Sequence, residues 1–135
     1  MGIAAIQLAR MAGATIYATV GSEAKVQYLM ETYGLPRNRI FNSHDSSFVE
    51  GVMRETQGQG VDLALNSLSG ELLHATWLCL AEFGKMVDIG KRDMLGAARL
   101  DMGRFLGSRT YSCFYLDLLR EKRPSECKRY VETPT

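Results

Sequence analysis

Apolar positions along this chain alternate between two spacings. Residues 2–12 ("GIAAIQLARMA") are apolar on most sides, as expected of a helix packed on a sheet. In "GATIYATVG" the β-branched Thr15, Ile16, Thr19 and Val20 lie between glycines, which predicts a buried strand over 15–20. "SEAKVQYLMETYG" returns to helical spacing through Val26, Leu29, Met30 and Tyr33, with Gly34 as its stop. "RIFNS" reads as a short strand, and "DSSFVEGVMRETQGQG" puts Phe48, Val49, Val52 and Met53 on one helical face. "VDLALNS" is the next strand. "GELLHATWLCLAEFG" reads as a helix ended by Gly84, followed by the strand "KMVDIG". "RLDMGRF" predicts a short helical piece and "TYSCFYLD" a further strand, after which the chain starts helical and becomes polar.

Strands alternating with helices of this length predict an α/β fold, a doubly wound, mainly parallel sheet of about five strands. Residues 15–20, 61–66 and 85–89 are expected as neighbouring parallel strands. Ligands bind such sheets beyond the carboxyl ends of the strands. The positions to inspect therefore follow Val20, Phe41, Leu65 and Ile89.

Length and charge narrow the choice. The 135 residues make one domain, and the net charge of +1 supplies no field to recruit nucleic acid or an anionic membrane. Any anion site must be local. Cys79, Cys113 and Cys127 are widely spaced, without C-x-x-C, and His44 and His74 are distant from them. That pattern predicts no metal site and reduced thiols. No apolar run has the length of a membrane span, and the opening lacks a signal-peptide pattern, so a cytoplasmic location is expected.

The strand ends carry the candidate chemistry. A dinucleotide fold selective for NAD usually places an acid at the end of its second strand, accepting from the ribose hydroxyls. Here Val20, Gly21 and Ser22 stand there, and the first acid, Glu23, lies inside the next helix. Ser22 can donate its hydroxyl, the helix N-terminus offers free N–H groups, and Lys25 brings a positive charge one turn on, which fits NADPH. The plainer reading, Ser22 as an N-cap and Lys25 as a solvated helix residue, is equally open on the residues alone. "NSLSG" follows Leu65 and "GKRD" follows Ile89. Singly, Asn66, Ser67 and Ser69 read as turn formers, and Lys91 with Asp93 as an exposed ion pair. Their shared place on the ligand-binding edge is what makes them a candidate site. Trp77 and His74 read as helix residues, Trp77 in the core, and "REKRP" as a solvated face.

Together, "GIAAIQLAR", "GATIYATVGSEAK", "VDLALNSLSGELL" and "FGKMVDIGKRD" resemble the enoyl reductase domain of reducing polyketide synthases and animal-type fatty acid synthases. Those domains belong to the zinc-independent medium-chain dehydrogenase/reductase superfamily. The resemblance runs in order from residue 2 to about residue 120 and is closest in flavour to the fungal highly reducing synthases. It implies a Rossmann-like sheet truncated at its first strand, since only Gly2 matches the family's A-x-G-G-V-G loop. Residues 1–135 are thus expected to be part of an NADPH-binding domain, with the catalytic substrate domain absent. The sheet edge left exposed invites self-association.

The implied reaction is NADPH-dependent reduction of an α,β-unsaturated acyl thioester held on an acyl carrier protein. By position the resemblance assigns Ser22 and Lys25 to the 2′-phosphate, and Asn66, Ser67 and Leu68 to the wall beside the cofactor ribose and pyrophosphate. Gly2 and Gly90 join them as cofactor-binding positions, and Lys91 with Asp93 match a proton donor and its orienting partner. A short-chain dehydrogenase is disfavoured because no tyrosine has a lysine four residues on. A methyltransferase is disfavoured because Val20–Ser22 lacks the ribose-binding acid. A catalytically inactive dinucleotide-binding or scaffolding remnant is the competing expectation.

Overall fold

A computed structural model describes residues 2–89 and 99–132, and the side chains of these residues up to Arg129. The chain alternates as its pattern predicts. Helix α1 (Gly2–Met11) precedes strand β1 (Ala18–Val20), helix α2 (Glu23–Tyr33) and strand β2 (Ile40–Asn42). Helix α3 (Phe48–Glu55), strand β3 (Val61–Asn66) and helix α4 (Glu71–Leu78) follow, then strands β4 (Leu80–Asp88) and β5 (Thr110–Cys113). Helices α5 (Leu116–Lys122) and α6 (Pro124–Glu132) end the described chain. A 3₁₀ turn at Met102–Gly107 is the short helical piece read from "RLDMGRF".

All pairing among the described strands is parallel, but it falls into two sheets. β1 pairs with β2, and β3, β4 and β5 form a second sheet in that order. Strands 61–66 and 85–89 are neighbours, as expected; 15–20 is beside β2 instead, and only its last three residues are strand. β1 and β3 each have one edge that carries no hydrogen-bonded strand among the described residues. The effect on burial is direct. Leu63 on β3 is 66% exposed, and α1, expected to be covered on most sides, buries Ile6 while Met11 stays 68% exposed.

Two boundaries also differ from the sequence reading. α4 stops at Leu78 and not at Gly84, because Val61 N–H bonds to the Cys79 carbonyl and draws Leu80 into register with Val61. The register then shifts before Leu63 meets Lys85, so residues 81–84 form an irregular stretch within β4. Beyond Arg123 the polar tail continues as α6.

Local signals explain the helix ends that were legible. Ser22 is extended (φ −153°) and its Oγ accepts from the Lys25 N–H at 3.3 Å, an N-cap. Gly34 takes the left-handed conformation (φ 65°) and donates to the Leu29 and Met30 carbonyls, closing α2. Three apolar clusters hold these elements. One joins α1, α2 and β2 through Ile6, Val26, Leu29 and Ile40; a second packs Phe48 and Val52 of α3 on Ala75 and Cys79. The third centres on Leu73, Trp77, Leu80 and Met86.

Candidate functional site

Parallel pairing brings the carboxyl ends of β1 and β2 to one edge, and a cleft of about 220 Å³ opens there. Val20, Gly21, Ser22, Glu23, Val26, Arg37, Phe41 and Asn42 line it. Ser22 is the N-cap that one of its two sequence readings expects, and it also lines the cleft. Its Oγ lone pair caps α2, which leaves the hydroxyl hydrogen available to a ligand in the cleft. Lys25 is exposed one turn into the same helix. Arg37, which sequence reasoning missed, holds its guanidinium at this edge by donating from Nη1 to the Ile40 carbonyl at 2.8 Å. Glu23 supplies the carboxylate of the wall, on the first turn of α2 where the helix dipole favours it. His44 closes on the back of Gly21: its Nε2 lies 2.8 Å from the Gly21 carbonyl. A carbonyl only accepts, so Nε2 carries the hydrogen.

The second group lies at the ends of β3 and β4. Asn66 and Asp88 are the buried polar side chains among the described residues, 2% and 1% exposed. Asn66 Nδ2 donates to the Leu68 carbonyl at 2.8 Å and to Asp88 Oδ1 at 3.2 Å. Its Oδ1 accepts from the Leu68 N–H at 3.3 Å and stands 3.2 Å from the Thr76 hydroxyl. Tyr111 on β5 donates its hydroxyl to Asp88 Oδ2 at 2.6 Å. Ser67 is exposed just beyond this knot, while Leu68 leans on the apolar cluster of α3 and α4. Gly2 is exposed at the head of α1, with open space where a Cβ would stand. Gly90, Lys91 and Asp93 lie outside the described residues.

Asp88, Tyr111 and Thr76 were not read as site residues. The available signal was an acid inside the otherwise apolar strand "KMVDIG", which demands buried partners. For Arg37 and His44 no comparable local signal exists, since Arg37 stands in the 3₁₀ turn before β2 and His44 in the loop after it.

Thiol chemistry is muted. Burial is the main cause that pushes the Cys79 thiol up to about 11, so it stays protonated at neutral pH. Burial also raises the Cys113 thiol, with a smaller contribution from the negative Asp88. Among the described residues no group of three or more His, Cys, Asp or Glu side chains can hold a metal ion, and no helix is long and apolar enough to cross a membrane.

Comparison with known proteins bears on this geometry. The family model for zinc-binding dehydrogenases matches residues 1–125. The described residues offer no ligand set for the zinc in that description. A highly reducing polyketide synthase of Aspergillus fumigatus is 62% identical over 117 residues, 87% of this chain and 5% of the relative. One from a Fusarium species is 57% identical over 132 residues, 98% of this chain and again 5% of the relative. The chain thus spans a small part of these synthases. The nucleotide-binding subdomain of the enoylreductase domain of PpsC from Mycobacterium tuberculosis superposes with a TM-score of 0.88 at 33% identity, covering 97% of this chain and 72% of that one. The chain belongs to the zinc-binding dehydrogenase family, in which it corresponds to the nucleotide-binding part of a polyketide synthase enoyl reductase domain.

Proposed function

We propose that this chain binds NADPH for the reduction of α,β-unsaturated acyl thioesters carried on an acyl carrier protein. The observation that carries the cofactor choice is the cleft at the end of β1. The strand ends at Val20 and passes through Gly21 and Ser22 into α2 without an acid before the helix, and Arg37 stands in the wall with Lys25 exposed on α2. A dianionic 2′-phosphate gains charge-assisted hydrogen bonds from such groups, together with N–H groups at the start of α2. When bound, the nicotinamide supplies hydride to the β-carbon of the enoyl group.

The residues of this chain do the rest of the proposed work. Ser22, Lys25 and Arg37 hold the phosphorylated ribose. Ser67 and Leu68, fixed by Asn66, face the next part of the dinucleotide, and Gly2 and Gly90 allow close backbone approach. Lys91 stabilises enolate charge or delivers a proton to the α-carbon, with Asp93 orienting its ammonium. These last roles rest on the resemblance of "GKRD" alone. The domain reading is that residues 1–135 form the cofactor half of the site, with the thioester held by another part of the synthase. A location in the cytoplasm suits that chemistry. The edges of β1 and β3 that carry no strand among the described residues also favour pairing of a second copy, and sedimentation that does not change with concentration would remove that proposal.

Lys25→Ala tests the cofactor assignment. NADPH affinity is expected to fall about tenfold, the loss of one charge-assisted contact, with NADH affinity nearly unchanged. Equal losses for both cofactors would place Lys25 in folding and not in phosphate recognition.

A further inference from the structure

The buried knot at the ends of β3 and β4 has no free valence for a ligand on Asn66. Both amide hydrogens are used, by Leu68 and Asp88, and both lone pairs of Oδ1 face donors, the Leu68 N–H and the Thr76 hydroxyl. The Thr76 hydrogen is shared with the Leu72 carbonyl at 2.9 Å. The amide has a single workable orientation, because a flip would set its NH₂ against the Leu68 N–H and its oxygen against the Asp88 carboxylate. Asp88 is fixed from the other side by Tyr111. The backbone repeats the tie: Ile89 N–H bonds to the Asn66 carbonyl and Phe114 N–H to the Asp88 carbonyl, each at 2.9 Å. Three adjacent strand ends are thereby locked at the point where the chain leaves them for "SLSG" and for residues 90–93.

We propose that Asn66 and Asp88 are positioning residues, which act on the dinucleotide through the loop at Ser67–Gly70 and the strand exit at Ile89, and not by contact. A cyclic set of hydrogen bonds in a dry site tolerates little displacement, since any unpaired member is costly. The loop conformation that presents Ser67 is therefore inherited from the knot. The inference rests on the dinucleotide reading above, and it makes a distinction within it. The adenosine 2′-phosphate end of the ligand belongs to the β1 cleft, which shares no lining residue with the knot. The pyrophosphate and nicotinamide ends belong to β3 and β4.

The test uses the full chain and two probes, NADPH and adenosine 2′-monophosphate, the second of which lacks the pyrophosphate and nicotinamide and engages the β1 cleft alone. Asn66→Ala is expected to weaken NADPH about tenfold while leaving the monophosphate within about twofold. Tyr111→Phe removes one hydrogen bond without changing shape, and a smaller loss confined to NADPH is expected should Asn66→Ala fail to fold. Asn66→Asp places two acceptors face to face. Adding Asp88→Asn restores a donor between them but not the bond to the Leu68 carbonyl, so the double variant is expected to regain part of the lost NADPH affinity. Parallel weakening of both probes would show a structural role only and overturn the inference, as would NADPH binding unchanged in a folded variant. A wild-type chain that binds neither probe would overturn the dinucleotide reading itself, and this inference with it.

Discussion

Replacing Trp77 with Ala is expected to cost the fold about 3–5 kcal/mol, the usual range for a fully buried large aromatic. Trp77 is 1% exposed at the centre of the cluster that joins α4 to β4. Its ring lies 4.9 Å from Phe105 and 6.0 Å, edge-on, from Tyr111, and its Nε1–H donates to the Asp101 carbonyl at 3.0 Å. Alanine removes all three contacts and leaves a cavity that rigid strands on one side cannot close. Since domains of this kind hold about 5–15 kcal/mol in total, the loss is a large share of it. Urea unfolding followed by far-ultraviolet circular dichroism measures it. Trp77→Phe should lose clearly less, because most ring packing survives and the missing donor leaves one carbonyl unpaired. A loss below about 1 kcal/mol for Ala would show that the cluster is not the anchor of the second sheet.

The second large effect is expected at Gly60. Its φ of +90° lies in the left-handed region, and a Cβ there would run into the Cys79 carbonyl oxygen and stand 2.9 Å from the Ala81 nitrogen. These are backbone atoms at the corner where α4 turns into β4, so they cannot rotate away. Gly60→Ala should therefore cost about 2–4 kcal/mol, strain and collision together. Gly58 is the internal control. Its φ is +80°, but a Cβ there meets nothing within 4 Å, so Gly58→Ala should cost only the conformational part, about 1–2 kcal/mol. Equal losses in the same unfolding assay would mean that the contact at the α4–β4 corner contributes nothing.

The α4–β4 corner also marks the limit of what local pattern reveals. The alternation of elements, the N-cap at Ser22 and the stop at Gly34 depend on nearest neighbours and were legible. The end of α4 depends on Val61, eighteen positions earlier than Cys79, whose N–H captures that carbonyl. "LLHATWLCLAEF" has no glycine or proline to announce that capture, and Gly84 was the nearest visible stop. The split of the sheet is likewise a tertiary fact: β1 carries the same strand signal whether its neighbour is β2 or β3. Ser22 and Asn66 were legible as capping and turn residues, which is how the structure places them. Asp88 was visible only as an acid in an apolar strand, and its meaning depends on Asn66 and Tyr111 meeting it from other strands. Arg37 reaches the cleft from the turn before β2, and nothing in its own sequence neighbourhood says so.

In the proposed function the β1 cleft decides the cofactor. Equilibrium titration of the chain with NADPH and with NADH, followed by nicotinamide fluorescence, measures the discrimination directly. NADPH is expected to bind at least about tenfold more tightly, the worth of one or more charge-assisted contacts to the 2′-phosphate. Tighter or equal binding of NADH, with Glu23 then accepting from the ribose hydroxyls, would contradict it.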